Sequence, residues 1–501
     1  MRATASPPAS PPSSSRASSR KAGFRYTALA SEISERIRSG DLRPGDRLPS
    51  VRRASRLRGL SPNTVLEAYH LLEDRGEIRA RPRSGYFIAG AARRAAVPEP
   101  EPIEAAFEIP PVAARAPARL TAAELALRAL AAFRLPGHVH FSGSSPHGDL
   151  FPLGRLARSL KGSLHRLDLS TLPTRLPEGN GELRRFLVRR ALEWGFAGSA
   201  SELVITAGTL EGMNLCLDAV TRPGDLIAVE AAASYAQRTS LERRGLRSLE
   251  LPTDLATGVS LGALERALRK HSVRACLLMP NFQNPLGFVM PEAAKRELVA
   301  LLARHDVPLI ENDVYGELHF GGARPVPAKA FDRKGLVLHC ASFSKCLAPG
   351  YSVGWVLAGR FAGRVQLAKW TTNAANGVIT QAAIVEYLRH GGYEHHLRRL
   401  RRTLAALHDR ALATIEWHFP RDTRIRPASG GFTLWLELPE NVEASKVYAL
   451  ALRERITVAP GPLFSASRRH RSALRLNFAQ DLTPRRDAAL ATLGRIAASL
   501  A

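Results

Sequence analysis

Lys345 closes the run Ser342-Phe343-Ser344-Lys345, directly after the apolar stretch 335–341. Asp313-Val314-Tyr315 follows the apolar run 307–310, and Asn284-Pro285-Leu286-Gly287 follows 275–279. Three polar groups of residues thus stand just past the ends of three apolar runs. An amine, a carboxylate, a phenol and a carboxamide brought into one crevice form the kit for a pyridoxal phosphate (PLP) aldimine. The lysine amine forms the imine. The carboxylate keeps the pyridine nitrogen protonated, so that the ring acts as an electron sink. The phenol and carboxamide suit the ring's phenolic oxygen, and a helix N-terminus suits the phosphate.

The elements that must position these groups are legible as a pattern. From about residue 121 to the end, apolar runs alternate with helical stretches, with strand candidates at 204–205, 226–229, 275–279, 307–310 and 336–338. Such runs read as parallel strands buried on both faces. Loops at the carboxyl ends of parallel strands are where an open α/β sheet collects its ligand.

At 501 residues the chain exceeds one core and implies two or three domains. Its net charge of +26 favours a polyanionic partner. Residues 1–90 hold 17 Lys+Arg against 8 Asp+Glu, so charge is about twofold denser there than in the rest. Cys216, Cys276, Cys340 and Cys346 form no CxxC pair, and three lie in or beside apolar runs, so buried thiols in a reducing cytoplasm are expected. There is no metal-ligand spacing, no run long enough to span a membrane, and no apolar segment of a secretory signal in the Pro/Ser/Ala/Arg-rich start.

Residues 1–22 read as a disordered tail, 23–90 as a compact helix-rich unit, and 91–120, with Pro98-Glu99-Pro100-Glu101-Pro102, as a linker. In the compact unit, Tyr26 to Ser39 carries Leu29, Ile33 and Ile37 at four-residue steps. Ser50 can cap a short helix over Val51 to Arg58 that Gly59 ends. Ser61 can cap the next, with Pro62 in its first turn and Val65, Tyr69 and Leu72 on one face. Two helices joined by a short turn make a helix-turn-helix. Strand-like segments 78–81 and 86–88 flank Pro82-Arg83-Ser84-Gly85, a candidate wing.

The sequence 44–52, then Ser61-Pro62-Asn63-Thr64-Val65, Tyr69 and Ser84-Gly85-Tyr86-Phe87, resembles the winged-helix domain of GntR-family regulators over most of residues 24–89. The resemblance implies that the second helix of the motif enters the major groove of double-stranded DNA, with Asn63 and Thr64 at base edges. It implies Arg52 on phosphate, and Arg81, Ser84 and Gly85 at the neighbouring minor groove or backbone. Arg52, Arg53, Arg56 and Arg58 on their own would read equally well as a solvated basic face. Pro62 stands where the family usually has arginine, so site specificity does not carry over.

Residues 140–500 resemble fold-type I aminotransferases. By that resemblance Lys345 carries the aldimine and Asp313 meets the pyridine nitrogen. Tyr315 and Asn284 bond the phenolic oxygen. Gly208 and Thr209, opening a helical stretch, cradle the phosphate with Ser342 and Ser344. Arg475, in Leu474-Arg475-Leu476-Asn477-Phe478, grips an amino acid's carboxylate. Tyr235 is the ring-stacking aromatic, displaced by one position from the family's 234. Ser352 occupies the place of an arginine that pairs with the phosphate, and Asn312 the place of a frequent aspartate.

A GntR-type reader followed by an aminotransferase-like domain resembles the MocR subfamily of bacterial transcriptional regulators. This implies a multidomain chain: a winged helix-turn-helix, then an α/β fold-type I domain over 121–501, its large part about 140–390 and its small α+β part about 391–501. The implied protein is a cytoplasmic homodimer that binds DNA and senses PLP or an amino-compound effector through the aldimine. Two alternatives are an active aminotransferase carrying a DNA reader, and a regulator that has lost PLP, the latter motivated by Ser352.

Overall fold

A computed structural model describes residues 16–43, 45–81, 85–89, 137–167, 178–390, 392–465 and 470–501. The chain divides into two compact units.

The first unit holds helices α1 (Arg16–Arg38), α2 (Val51–Arg58) and α3 (Pro62–Asp74), then strands β1 (Ile78–Arg81) and β2 (Gly85–Ile88). The first helix begins at Arg16, within the stretch expected as tail and ten residues before the periodic apolar stripe. The Ser50 hydroxyl accepts from the Arg53 N–H at 3.3 Å to start α2, and Gly59 at φ +61° ends it in a left-handed conformation. The Ser61 hydroxyl accepts from the Thr64 N–H at 3.1 Å to start α3, with Pro62 in its first turn. Val65, Ala68, Tyr69 and Leu72, spaced three and four apart, bury one face of α3 against Leu29, Ala30, Ile33 and Ile37 of α1. β1 and β2 pair antiparallel, Ile78 opposite Ile88 and Arg81 opposite Gly85. They are the two strands of the expected wing. Residues 82–84 between them and the linker 91–120 lie outside the described residues.

The second unit is built on a seven-stranded sheet of β3 (Leu203–Thr206), β4 (Leu226–Glu230), β5 (Arg247–Leu251), β6 (Val273–Leu278), β7 (Leu309–Asn312), β8 (Val337–Ser342) and β9 (Gly354–Leu357). Their spatial order is β3-β9-β8-β7-β6-β4-β5. Alternate residues serve different cores. Cys276 and Leu278 pack with Leu309 and Val337, whereas Ala275 and Leu277 pack with Ile310 and Leu338. Both faces are therefore covered, which is why these strands read as unbroken apolar runs. All five expected strands belong to this sheet.

Two further strands were not anticipated. β5 begins with exposed Arg247 and Ser248 and lies at the sheet edge, so it carries no apolar run. β9 runs antiparallel to both β8 and β3. Only residues 343–353 separate it from β8, too few for a crossover helix, and a short return makes antiparallel pairing the available geometry.

Four helices of this unit bear on the site: α4 (Thr209–Val220), α5 (Tyr235–Arg243), α6 (Ala362–Asn373) and α7 (Tyr393–His418). A smaller antiparallel sheet follows, made of Arg424–Ile425, Thr433–Glu437, Ala473–Asn477 and Ala459–Pro460 in that spatial order. The segment Val139–His140 pairs in parallel with Ile456–Thr457, which ties the start of the unit to its end. All four cysteines are buried and free.

Candidate functional site

The polar residues singled out in the sequence follow the carboxyl ends of neighbouring strands. Gly208 follows β3, Lys345 follows β8, Asp313 follows β7, Asn284 follows β6 and Tyr235 follows β4. The antiparallel β9 enters the same edge in reverse, so Gly354 lies opposite both Thr206 and Ser342.

Lys345 donates from Nζ to the Ser145 hydroxyl at 2.7 Å. Burial and the charge of Arg475 lower its amine to about 8, toward the neutral, nucleophilic form. Ser145 belongs to the turn Ser142-Gly143-Ser144-Ser145, just past Val139–His140. Asn477 holds this turn from the small sheet, donating to the Gly143 carbonyl at 3.1 Å and the Ser145 carbonyl at 2.7 Å.

Arg475 is fully buried. Its Nη2 donates to the carbonyls of Ser142 and of Gly143, the latter at 3.0 Å. Its Nε and Nη1 are buried without a partner. The guanidinium lies 5.4 Å from the centre of the Phe464 ring, which is 6.3 Å from the Tyr235 ring. A guanidinium half satisfied by carbonyls and half open is suited to an incoming carboxylate.

Asp313 is buried and anchored by its N–H on the Cys340 carbonyl at 2.8 Å. Asn281 Nδ2 donates to its Oδ1 at 3.0 Å, and His339 Nε2 to its Oδ2 at 3.0 Å. Arg324 pairs with the same Oδ2. Burial by itself would raise this carboxyl. The Arg324 charge and the His339 and Asn281 bonds outweigh it and hold the group well below the usual carboxylate range. Tyr315 is buried edge-on to Phe432 at 4.7 Å, and burial pushes its phenol above the usual value. Asn284 has its amide oxygen buried without a partner.

The turn before α4 forms a cup. Gly208 sits at φ +109°, which admits only glycine readily. A side chain on Gly354 would meet the Gly208 Cα at 2.7 Å, so two glycines let β9 approach the cup. The Thr209 hydroxyl is buried without a partner. A Cβ on Gly208 would lie 3.9 Å from the Ser344 hydroxyl, and Ser344 itself donates its N–H to the Ser342 hydroxyl at 3.2 Å. Ser352, two residues before Gly354, is exposed and adopts φ +51°.

Sequence reasoning missed Ser145, Asn281, His339, Arg324 and Phe464. The Ser/Gly-rich turn at 142–145 was a visible signal without a visible partner. His339 sits inside an apolar run, where a lone histidine reads as core.

In the first unit, Arg52 and Asn63 are exposed, and Thr64 is partly exposed at the start of α3. Gly85 sits at φ +95° beneath the Arg47 side chain. Arg58, read with Arg52, Arg53 and Arg56 as one basic face, instead forms a two-bond pair with Glu32 at 3.0 and 2.7 Å. Ser84 and the side chain of Arg81 lie outside the described residues. Among the described residues no helix is long and apolar enough to cross a membrane.

Residues 25–88 match the family of bacterial regulatory proteins, gntR family, and residues 176–492 match aminotransferase class I and II. The chain is 41% identical over 475 residues to an uncharacterized HTH-type transcriptional regulator, YdcR, of Escherichia coli (strain K12), covering 94% of this chain and 98% of that one. It is 38% identical over 476 residues to a second such regulator of that organism, YjiR, again covering 94% and 98%. Among solved structures it is similar to LysN, an α-aminoadipate aminotransferase from Thermus thermophilus complexed with N-(5'-phosphopyridoxyl)-L-leucine. There the TM-score is 0.67 at 26% identity, over 76% of this chain and 99% of that one. With the reader and the aminotransferase-like domain matched in this order, and the kinship running over nearly the whole chain, the protein belongs to the MocR subfamily of GntR-family bacterial transcriptional regulators.

Proposed function

We propose that this regulator takes PLP at Lys345 and changes its hold on DNA when the cofactor, or an amino compound joined to it, occupies the site. The observation that carries this reading is the pair of groups with buried polar atoms left open on this side of the sheet: the Thr209 hydroxyl just past β3, and Nε and Nη1 of Arg475, whose charge is felt by the Lys345 amine. Buried polar atoms are normally satisfied, so open ones at the carboxyl edge of a parallel sheet fit a polar ligand.

The donor set fits PLP group by group. The Gly208–Thr209 turn and the hydroxyls of Ser342 and Ser344 suit the phosphate. Asn284 and Tyr315 would supply hydrogen-bonding groups for the phenolic oxygen, Asp313, held ionised, would meet the ring nitrogen, and Tyr235 would supply the stacking aromatic. Bound PLP supplies an aldehyde and an electron-withdrawing ring. Lys345 supplies an amine that is partly neutral near pH 8. Arg475 orients a carboxylate through its two open nitrogens.

In the reader, Arg52 grips phosphate and Asn63 and Thr64 face bases, with Arg81, Ser84 and Gly85 at the wing. Exposed Leu210, Trp370 and Ile379, the first of them in the opening turn of α4, suit burial against a second copy, so the working unit is a homodimer with two readers.

The test has two parts. Lys345-dependent absorbance should appear when PLP is added to the full chain and vanish in Lys345→Ala. Binding to the DNA upstream of the chain's own gene, with and without PLP over a salt series, should then show a PLP-dependent affinity. Absorbance without any change in DNA affinity would sink the regulatory reading. A second reading, transamination, is favoured by the intact pair Lys345 and Arg475. Turnover of amino donors with a keto acid at about 1 per second or faster would favour it.

A further inference from the structure

The carboxylate that would meet the cofactor's ring nitrogen is not left for that nitrogen alone. Arg324 pairs with Asp313 Oδ2, the oxygen that also accepts from His339. The two side chains are nearly sealed, at 11% and 0% exposure, so the pair is not a solvent-screened contact. The arginine is fixed in place. Its Nη1 donates to the Pro325 carbonyl at 3.1 Å, and its Nε lies 3.9 Å from Glu317 Oε1. Glu317 is in turn clamped by Arg401 at 2.7 Å. Gly316 makes room for the pair, since a Cβ there would stand 2.7 and 2.8 Å from the two Asp313 oxygens.

A second buried cation reaches the same carboxylate indirectly. Lys295 donates to Asn281 Oδ1 and to the Val326 carbonyl at 2.8 Å, and Asn281 Nδ2 then donates to Asp313 Oδ1. A carboxylate offers about four acceptor positions. Asn281, His339 and Arg324 take three of them. A protonated ring nitrogen would have to share the remainder with a guanidinium close by, in a site where water does not screen like charges.

We propose that Arg324 is a positioning residue that shares the charge of Asp313 and thereby weakens this carboxylate's hold on the cofactor's ring nitrogen. The proposal rests on the PLP reading of the site. It would explain how an aminotransferase-like pocket keeps a cofactor without the full electron-sink drive of a fast enzyme: the ring would be held at its aldehyde and phosphate ends, and only loosely through its nitrogen.

The test compares PLP with its 1-deaza analogue, in which a C–H replaces the ring nitrogen, on the full-length apo protein. Dissociation constants of both ligands are measured by equilibrium dialysis for wild type, Arg324→Gln and Arg324→Lys. In wild type the analogue should bind within about tenfold of PLP, because Asp313 is already satisfied. In Arg324→Gln the carboxylate would face a C–H with its charge unshared, and the ratio of the two constants should rise by about tenfold or more. Arg324→Lys, which keeps the cation, should return the ratio toward wild type.

A merely structural role for Arg324 would weaken both ligands alike and leave the ratio within about twofold, which overturns the proposal. The wild-type ratio decides independently of whether the variants fold: discrimination beyond about a hundredfold would mean that Asp313 already gives its whole charge to the nitrogen. If wild type binds neither ligand, the PLP reading itself fails, and that outcome is distinct from an unchanged ratio.

Discussion

Lys345 Nζ and Ser145 Oγ are 200 residues apart in the chain and meet at 2.7 Å. The contact is made by three layers of the fold. Strand β8 delivers the lysine, the parallel pairing of Val139–His140 with Ile456–Thr457 delivers the serine turn, and Asn477 of the small sheet clamps that turn. The lysine's chemistry therefore depends on residues from both ends of the unit, and this leads to a first prediction.

The rate of covalent PLP capture by the apo protein should rise with pH through about 8, because the free amine is the nucleophile. Arg475→Gln removes a charge that helps to lower the lysine, so the midpoint of that rise should move to higher pH. Stopped-flow absorbance over the range of about pH 6.5 to 10 reads both. A midpoint unmoved by Arg475→Gln would show that the two groups are not electrostatically linked.

His396 in α7 donates from Nε2 to the Cys346 carbonyl at 2.7 Å, one residue past the lysine, while its Nδ1 is buried without a partner. Burial lowers this imidazole from 6.5 to about 4. The neutral ring is the folded form, so its stabilisation is complete above pH 6.5 and is lost as pH falls toward about 4. The loss should be on the order of 3 kcal/mol. Thermal unfolding between about pH 7 and pH 4 should show a shallower acid-side decline for His396→Gln than for wild type.

Ser352→Arg would place a cation at the position where the family resemblance expects the phosphate's arginine, two residues before the Gly354 that abuts Gly208. A charge-assisted bond to phosphate contributes about 1.5–3 kcal/mol, so PLP affinity should rise about tenfold or more. Ser352→Gly should instead leave affinity near wild type and raise stability by about 1 kcal/mol, since φ +51° disfavours any residue with a Cβ. Titration with PLP and thermal melts separate the two effects. Equal PLP affinity in Ser352→Arg and wild type would mean that position 352 does not reach the phosphate.

In the reader, Arg52→Ala should weaken DNA binding evenly across sequences and lower the salt slope by about 1. Asn63→Ala should cost about 1–3 kcal/mol and relax preference at one base position. Arg58→Ala should destabilise the unit through its lost pair with Glu32 while leaving the salt slope unchanged. A salt slope reduced by Arg58→Ala would count against the division between structural and phosphate-binding arginines.

Much of the fold was legible because its signals are local. Ser50, Gly59, Ser61 and Pro62 punctuate α2 and α3 through bonds that span three to five residues, and buried parallel strands must be apolar throughout. β9 was not legible. Its direction is set by the short return from β8 and by pairing with β3, a partner about 150 residues earlier. The same holds for Arg58, whose neighbours in sequence suggest a basic face while its partner lies on another helix.

By itself the sequence determined which chemistry was on offer: an amine, a carboxylate, a phenol and an arginine fork, each placed after or within a strand by local patterning, and a reader ahead of them. Only the tertiary structure decided how those groups are tuned. The lowered amine of Lys345, the Ser145 hydroxyl it touches and the sharing of Asp313 with Arg324 all arise where burial and distant charge act together. Desolvation and Coulomb forces depend on distances through space, and the order of residues along the chain does not carry those distances.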